Sequence, residues 1–144
     1  MINRACTLKA IAYRGGYETS DVDSWNYTIE VEVASINATN FPDDNFRNYL
    51  LSLYYGKDGR LTEGEIKKIK SLRIVDKGIS SLQGIEYFTA LTWLYCNNNQ
   101  LTVLDVSKNT ALTKLYCSNN QLTVLDVSKN TALTELYCYN NQLT

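Results

Sequence analysis

The chain has 144 residues, 44% of them hydrophobic, with a formal net charge of −1 and no histidine. That length holds one modest domain or a short array. A balanced charge without a basic block argues against a nucleic-acid partner, and no apolar run approaches the ~20 residues needed to cross a bilayer.

Residues 1–34 read as β. The opening MINRACTLKAIAYR has no uninterrupted apolar core and no small-residue cleavage site, so it is not a signal peptide: either the protein is cytosolic, or this is a fragment whose export signal lies elsewhere. TLKAIAY is followed by the turn signal RGG, and WNYTIEVEV alternates, with Trp25, Tyr27, Ile29, Val31 and Val33 on one face. The pattern predicts two strands, about Thr7–Tyr13 and Ser24–Val33, joined by a long loop. A lone hairpin is marginal in water and wants more sheet to pack on. The run TLKAIAYRGGYETSDVDSWNYTI resembles the closing strands of a small β-sandwich module found beside chitobiase and β-hexosaminidase domains. The resemblance implies a hairpin remnant whose front strands are missing, so that Met1 is not the natural start.

Residues 35–68 change character and read as a helix–loop–helix cap. Phe41-Pro42-Asp43-Asp44 predicts a helix start, with proline in the first turn and carboxylates at the positive helix end. Phe46, Tyr49, Leu50 and Leu53 fall on one stripe, and the helix is expected to stop near Tyr55-Gly56. Thr62 and Glu65 have capping-box spacing for a second helix, with Leu61 and Ile66 placed as its hydrophobic staple. Asp58, Gly59 and Glu65 match the later half of an EF-hand loop. Its first and third ligand positions, however, would be Tyr54 and Gly56, which offer no carboxylate, so the loop reads as a cap and not as a metal site. Lys67, Lys68, Lys70 and Arg73 read as a solvated helix end.

Residues 69–144 are repeats. An aberrant first unit, IKSLRIVDKGISSLQGIEYFTA, keeps its apolar columns, with Lys77 at the later asparagine position. Two full units follow, each 21 residues long, and a third copy breaks off at Thr144. The unit LxxLxCxxNxLTxLDVSxxx is a leucine-rich repeat with cysteine at the third strand leucine. One such unit cannot bury its apolar face alone, so the copies stack into a curved parallel sheet. The predicted class is therefore α+β: a leucine-rich-repeat solenoid with a small helical N-terminal cap and an N-terminal β-hairpin.

Within each unit the columns separate by task. Leu94 and Cys96 point inward with their equivalents. Cys96, Cys117 and Cys138 then form a column of small buried apolar residues, not a redox pair or zinc site, since no CxxC spacing occurs. Asn99, Asn120 and Asn141 are placed to satisfy backbone groups in the turn after the strand. The copies differ in two columns, Trp93/Lys114/Glu135 and Asn97/Ser118/Tyr139, which flank an unvarying Tyr95/Tyr116/Tyr137 stripe. All nine are expected on the outward, concave face of the sheet, where such arrays meet partners. The alternative is drift after duplication, with the tyrosines stacking only to stabilise the sheet.

FPDDNFRNYLL, GKDGRLTEGEI, GISSLQGIEYFTAL and LYCNNNQLTVLDVSKNTAL together resemble the internalin-type bacterial leucine-rich-repeat proteins, especially the cysteine-ladder subgroup. The resemblance implies an extracellular or cell-surface binding module that recognises a protein, with a glycan as a possible partner. It departs from related caps at Tyr54 and Gly56, and the C-terminal cap and wall anchor are absent from this segment. The leading expectation is protein recognition on the concave face. The alternatives are carbohydrate binding by the same Tyr/Trp stripe, or a structural spacer. No cofactor is expected and an enzyme is disfavoured: without histidine there is no Ser-His or Cys-His dyad, and no phosphate-binding glycine loop occurs. Asp105 and Asp126 recur in the LDVS turn, where they serve the coil.

Overall fold

The computed structural model describes residues 6–10, 23–27 and 30–144. They belong to two compact units, residues 1–31 and 32–144. In the first, β1 (Cys6–Ala10) pairs antiparallel with β2 (Asp23–Tyr27), Cys6 opposite Tyr27 and Ala10 opposite Asp23. The end of the first predicted strand, the loop and the common face of Trp25, Tyr27 and Ile29 lie outside the described residues.

The second unit opens with β3 (Glu32–Ser35), which pairs antiparallel with β4 (Arg60–Thr62). This corrects the sequence reading, which assigns Glu32 and Val33 to the end of the second N-terminal strand and places Ala34 and Ser35 outside any strand. The cause is the side on which the strand finds a core. Ala34 and Ile36 are buried, whereas Val33, expected on the apolar face, is 43% exposed. The register breaks between Glu32 and Ala34, and Ile36 N donates to Gly59 O at 2.7 Å. A one-residue slip exchanges the two faces of a strand, so the alternation alone did not choose between them.

Helix α1 (Asp44–Ser52) is capped by Asp43, whose carboxylate accepts from Phe46 N at 2.9 Å. Pro42 therefore precedes the cap instead of occupying the first turn. The helix also ends before the predicted Tyr55-Gly56. Leu53 turns extended, and Tyr54–Gly56 forms a 3-10 turn. Gly56 is needed there, because a Cβ would stand 2.2 Å from Leu50 O. Phe46 and Leu50 are buried, with Tyr49 and Leu53 packed against them. Helix α2 (Glu63–Lys68) has the expected capping box: Glu65 N donates to Thr62 Oγ1 at 3.3 Å, and Thr62 N donates to Glu65 Oε2 at 2.9 Å.

The repeats contribute β5 (Ser71–Arg73), β6 (Trp93–Tyr95), β7 (Lys114–Tyr116) and β8 (Glu135–Tyr137), one parallel sheet in that order. Leu72, Leu94 and Leu115 are buried in one column, Ile74, Cys96 and Cys117 in the next, and Ile79, Leu101 and Leu122 in a third. The cap is bonded to this stack. Asp43 Oδ2 accepts from Ser80 N and Ser80 Oγ, both at 2.8 Å, and from Ser81 N at 3.2 Å. Tyr49 Oη accepts from Arg73 N at 3.2 Å. Phe41 lies edge-on to Phe46 at 5.8 Å and tilted against Phe88 at 6.4 Å, joining cap and first repeat through one apolar cluster.

Candidate interaction surface

The outer face of the parallel sheet is built from alternate strand residues, and its register is direct. Trp93 lies opposite Lys114 and Lys114 opposite Glu135; Tyr95 lies opposite Tyr116 and Tyr116 opposite Tyr137. Strand spacing of ~4.8 Å sets the ring spacing. Tyr95 and Tyr116 stack at 4.8 Å with 26° between planes, and Tyr116 and Tyr137 at 4.7 Å with 9°. The tyrosine column starts one strand earlier than the sequence suggests. Arg73, opposite Tyr95 in β5, places its guanidinium carbon 5.7 Å from the Tyr95 ring centre. The sequence reading put Arg73 in a solvated helix end; α2 stops at Lys68, and Arg73 is a strand residue.

In the neighbouring column, Lys114 Nζ sits 5.5 Å from the centre of the Trp93 ring and 2.7 Å from Glu135 Oε1. Glu135 Oε2 accepts from Tyr116 Oη at 2.5 Å, tying this column to the tyrosines. The contacts shift the groups consistently. Hydrogen bonding to Glu135 raises Lys114 and holds the Tyr116 phenol up at about 12, while Lys114 and then Tyr116 lower Glu135. The pair is partly exposed, so it acts as a positional clamp more than as a source of stability.

Asn97, Ser118 and Tyr139 form the third column, but Ser118 is only 2% exposed while Tyr139 is 61% exposed. The expectation that Ser118 presents its side chain outward is therefore corrected: a hydroxymethyl group between two larger column neighbours does not reach the surface. Its Oγ has no partner. Trp93 (44% exposed), Tyr137 and Tyr139 are the large residues most open on this face. Tyr95, Asn97, Lys114, Tyr116 and Glu135 are half-buried.

A family model described as "Leucine Rich repeats (2 copies)" matches residues 89–123 and 110–144. Internalin J of Listeria monocytogenes serotype 4b (strain F2365) is 41% identical over 70 residues, which cover 48% of this chain and 8% of that protein. The solved functional domain of InlJ from Listeria monocytogenes, described as including a cysteine ladder, superposes with a TM-score of 0.68 at 38% identity. That match covers 76% of this chain and 24% of the InlJ chain. Residues 89–144 are leucine-rich repeats, similar to those of the Listeria internalins. A second internalin, InlF from Listeria monocytogenes str. 4b F2365, matches with a TM-score of 0.70 at 30% identity, over 77% of this chain and 34% of that one. The chain thus spans a small part of each relative's length.

The repeats carry their cysteine column inward. Cys96 and Cys117 are buried, Cys138 is partly covered, and all three are free thiols. Burial, reinforced by the neighbouring thiol, raises Cys96 well above the ordinary range and Cys117 to about 12, so neither is a ready nucleophile or metal ligand at neutral pH. Asn99, Asn120 and Asn141 bond as the sequence predicts. Each amide donates to a carbonyl of its own turn and to one in the preceding repeat.

Sequence reasoning missed other ladders. Asn98, Asn119 and Asn140 adopt positive φ of 58°, 53° and 54°, and their amides bond one to the next at 2.6 and 2.7 Å. Thr92, Thr113 and Thr134 donate to a carbonyl one repeat upstream. Identity across copies was the available signal, but it does not distinguish a ladder from an exposed filler.

Four carboxylates in the turns and the cap accept from nearby backbone N–H groups. Asp105 and Asp126 accept from Ser107 N and Ser128 N at 2.9 and 2.8 Å, which lowers both. Asp58 is bonded to Arg60, and Glu65 is held in the capping box. Among the described residues no His, Cys, Asp or Glu cluster is arranged to hold a metal ion, and no helix is long and apolar enough to cross a membrane.

Proposed function

We propose that the chain is a non-catalytic binding module of a bacterial surface or secreted protein, recognising a protein partner through the concave face of its repeats. Residues 35–68 serve as the N-terminal cap of repeats 69–144. The supporting observation is the continuous outer surface of Trp93, Tyr95, Lys114, Tyr116, Glu135, Tyr137 and Tyr139. The rings of Tyr95, Tyr116 and Tyr137 are stacked, and Trp93 is held by the Lys114–Glu135 pair, before any partner arrives. Rigid, partly exposed aromatic groups lose little freedom on binding and supply most interface hot spots. Asn97 borders this patch, and Ser118 contributes shape beneath it.

A glycan platform is the weaker reading, because a sugar ring packs on a free aromatic face. Tyr116 spends both faces on its neighbours, Tyr95 has Tyr116 on one side and the Arg73 guanidinium near its ring, and Trp93 carries Lys114.

The test is binding of Trp93→Ala and Tyr116→Ala variants, with melting curves as the folding control. Panning a displayed random-peptide library on the wild type should yield ligands that both variants lose. Ligands held equally well by wild type and variants would reject this surface. Titration with oligosaccharides should leave tryptophan fluorescence unchanged; a saturable change would favour the glycan reading.

A further inference from the structure

We propose that Arg73 is a specificity residue of this surface, the anchor for a carboxylate side chain of the protein partner. The inference rests on the concave-face reading above. The two cations in the outer columns are in opposite situations. Lys114 is neutralised by Glu135 at 2.7 Å. Arg73 is exposed, and its contact is the Tyr95 ring, with no carboxylate paired to it among the described residues. The surface is therefore charge-balanced at its β7–β8 end and positive at its β5 end.

The Arg73 guanidinium is also pre-placed. Its backbone N–H is fixed to Tyr49 Oη at 3.2 Å, so the cap sets the position of its strand. The side chain is steadied by the tyrosine column, which itself cannot shift without breaking the stack and the Tyr116–Glu135 bond. A guanidinium resting near an aromatic ring keeps its N–H edge free, and that fork matches a carboxylate bidentately. Lysine offers only a point charge at such a site. The complementary ligand is an Asp or Glu side chain next to an apolar group that reaches the Trp93–Tyr95 edge. A peptide is favoured over an acidic sugar because Tyr95 and Tyr116, the rings on the Arg73 side of the column, have their faces taken up by Arg73 and by their stacked neighbours.

The experiment pans a displayed random-peptide library on the intact chain and measures selected peptides on wild type, Arg73→Gln, Arg73→Lys and Trp93→Ala. Circular dichroism confirms that each variant is folded. A sialylated and sulfated glycan array is run in parallel. The expected result is enrichment of peptides with an acidic residue, weakened roughly tenfold by Arg73→Gln and only partly restored in Arg73→Lys. Ligands that need Trp93 but lack an acidic residue, or that bind Arg73→Gln unchanged, overturn the anchor and leave the concave-face reading intact. No ligand sensitive to any of the three variants overturns both. Arg73-dependent binding of acidic glycans without acidic peptides overturns the peptide carboxylate as the ligand.

Discussion

Asn120 Nδ2 donates to Cys96 O at 3.0 Å, across a repeat boundary, and to Cys117 O in its own turn at 3.0 Å. Its Oδ1 accepts from Leu101 N at 3.0 Å. With a longer bond from Nδ2 to Ser118 O at 3.3 Å, one buried amide thus satisfies four backbone groups in two repeats. Asn120→Ala removes these bonds and is expected to cost about 2–4 kcal/mol, measured by urea denaturation. The comparison is Asn119→Gly, which keeps the positive φ and removes two exposed amide links, to Asn98 and from Asn140; it should cost less than about 1 kcal/mol. Equal losses would mean that burial does not set the value of these ladders.

Gly84 sits at φ 100°, where a Cβ would stand 2.2 Å from Phe41 Cδ1 and 2.7 Å from Asn40 O. Backbone strain and collision act together, and Phe41 is fully buried with no room to retreat. Gly84→Ala is expected to destabilise by about 3 kcal/mol or more, read from the thermal midpoint. Proteolysis should show the cap loosening from the first repeat. A midpoint within a degree or two of wild type would contradict the packing described at Phe41.

Asp43 joins the start of α1 to the turn at Ser80-Ser81. Partial burial raises its carboxyl, but hydrogen bonds from Phe46, Ser80 and Ser81 outweigh this and hold it below the ordinary 3.8. A depressed carboxyl stabilises the fold above its unfolded value, and that contribution is lost as pH falls through the folded value. Asp43→Ala should cost about 1–2 kcal/mol at pH 7 from the cap alone. The difference between wild type and Asp43→Ala should shrink as denaturation is followed from pH 6 down to about pH 3. A gap that is constant across that range would mean the carboxylate's charge contributes nothing.

The thiol ladder predicts a graded reactivity. In a Cys6→Ser background at pH 8, a disulfide reagent should modify Cys138 first. Cys96 and Cys117 should react only at the rate of opening, because both are buried and raised. Urea should bring all three to one rate. Fast labelling of Cys117 in the folded chain would contradict its burial.

Backbone protection should fall toward β8. Cys96 N and Cys117 N donate to Tyr116 O and Tyr137 O, each at 2.8 Å, in the next repeat. Among the described residues no further strand pairs with the outer edge of β8, and Leu136 is exposed where Leu115 is buried. Hydrogen exchange at Leu136–Cys138 is expected to be faster than at Leu94–Cys96, or else slowed in a concentration-dependent way by edge association. Equal, concentration-independent protection would argue against an open edge.

The sequence alone determined what periodicity can determine. Copies of one unit that cannot bury its apolar face must stack. That assigned the leucine and cysteine columns to the core, Asn99, Asn120 and Asn141 to the turns, and the tyrosines to the outer face. The capping box at Thr62 and Glu65 was legible because both its bonds are local. Tertiary structure decided whatever depends on residues distant in sequence. Glu32–Ser35 turned to β4, because only there could Ala34 and Ile36 meet a core. Ser118 sank below the surface because its column neighbours are larger, a comparison that a single repeat does not contain. Arg73 left the basic helix end and joined the tyrosine column because β5 aligns with β6, and that alignment exists only once the first, irregular repeat has stacked on the second.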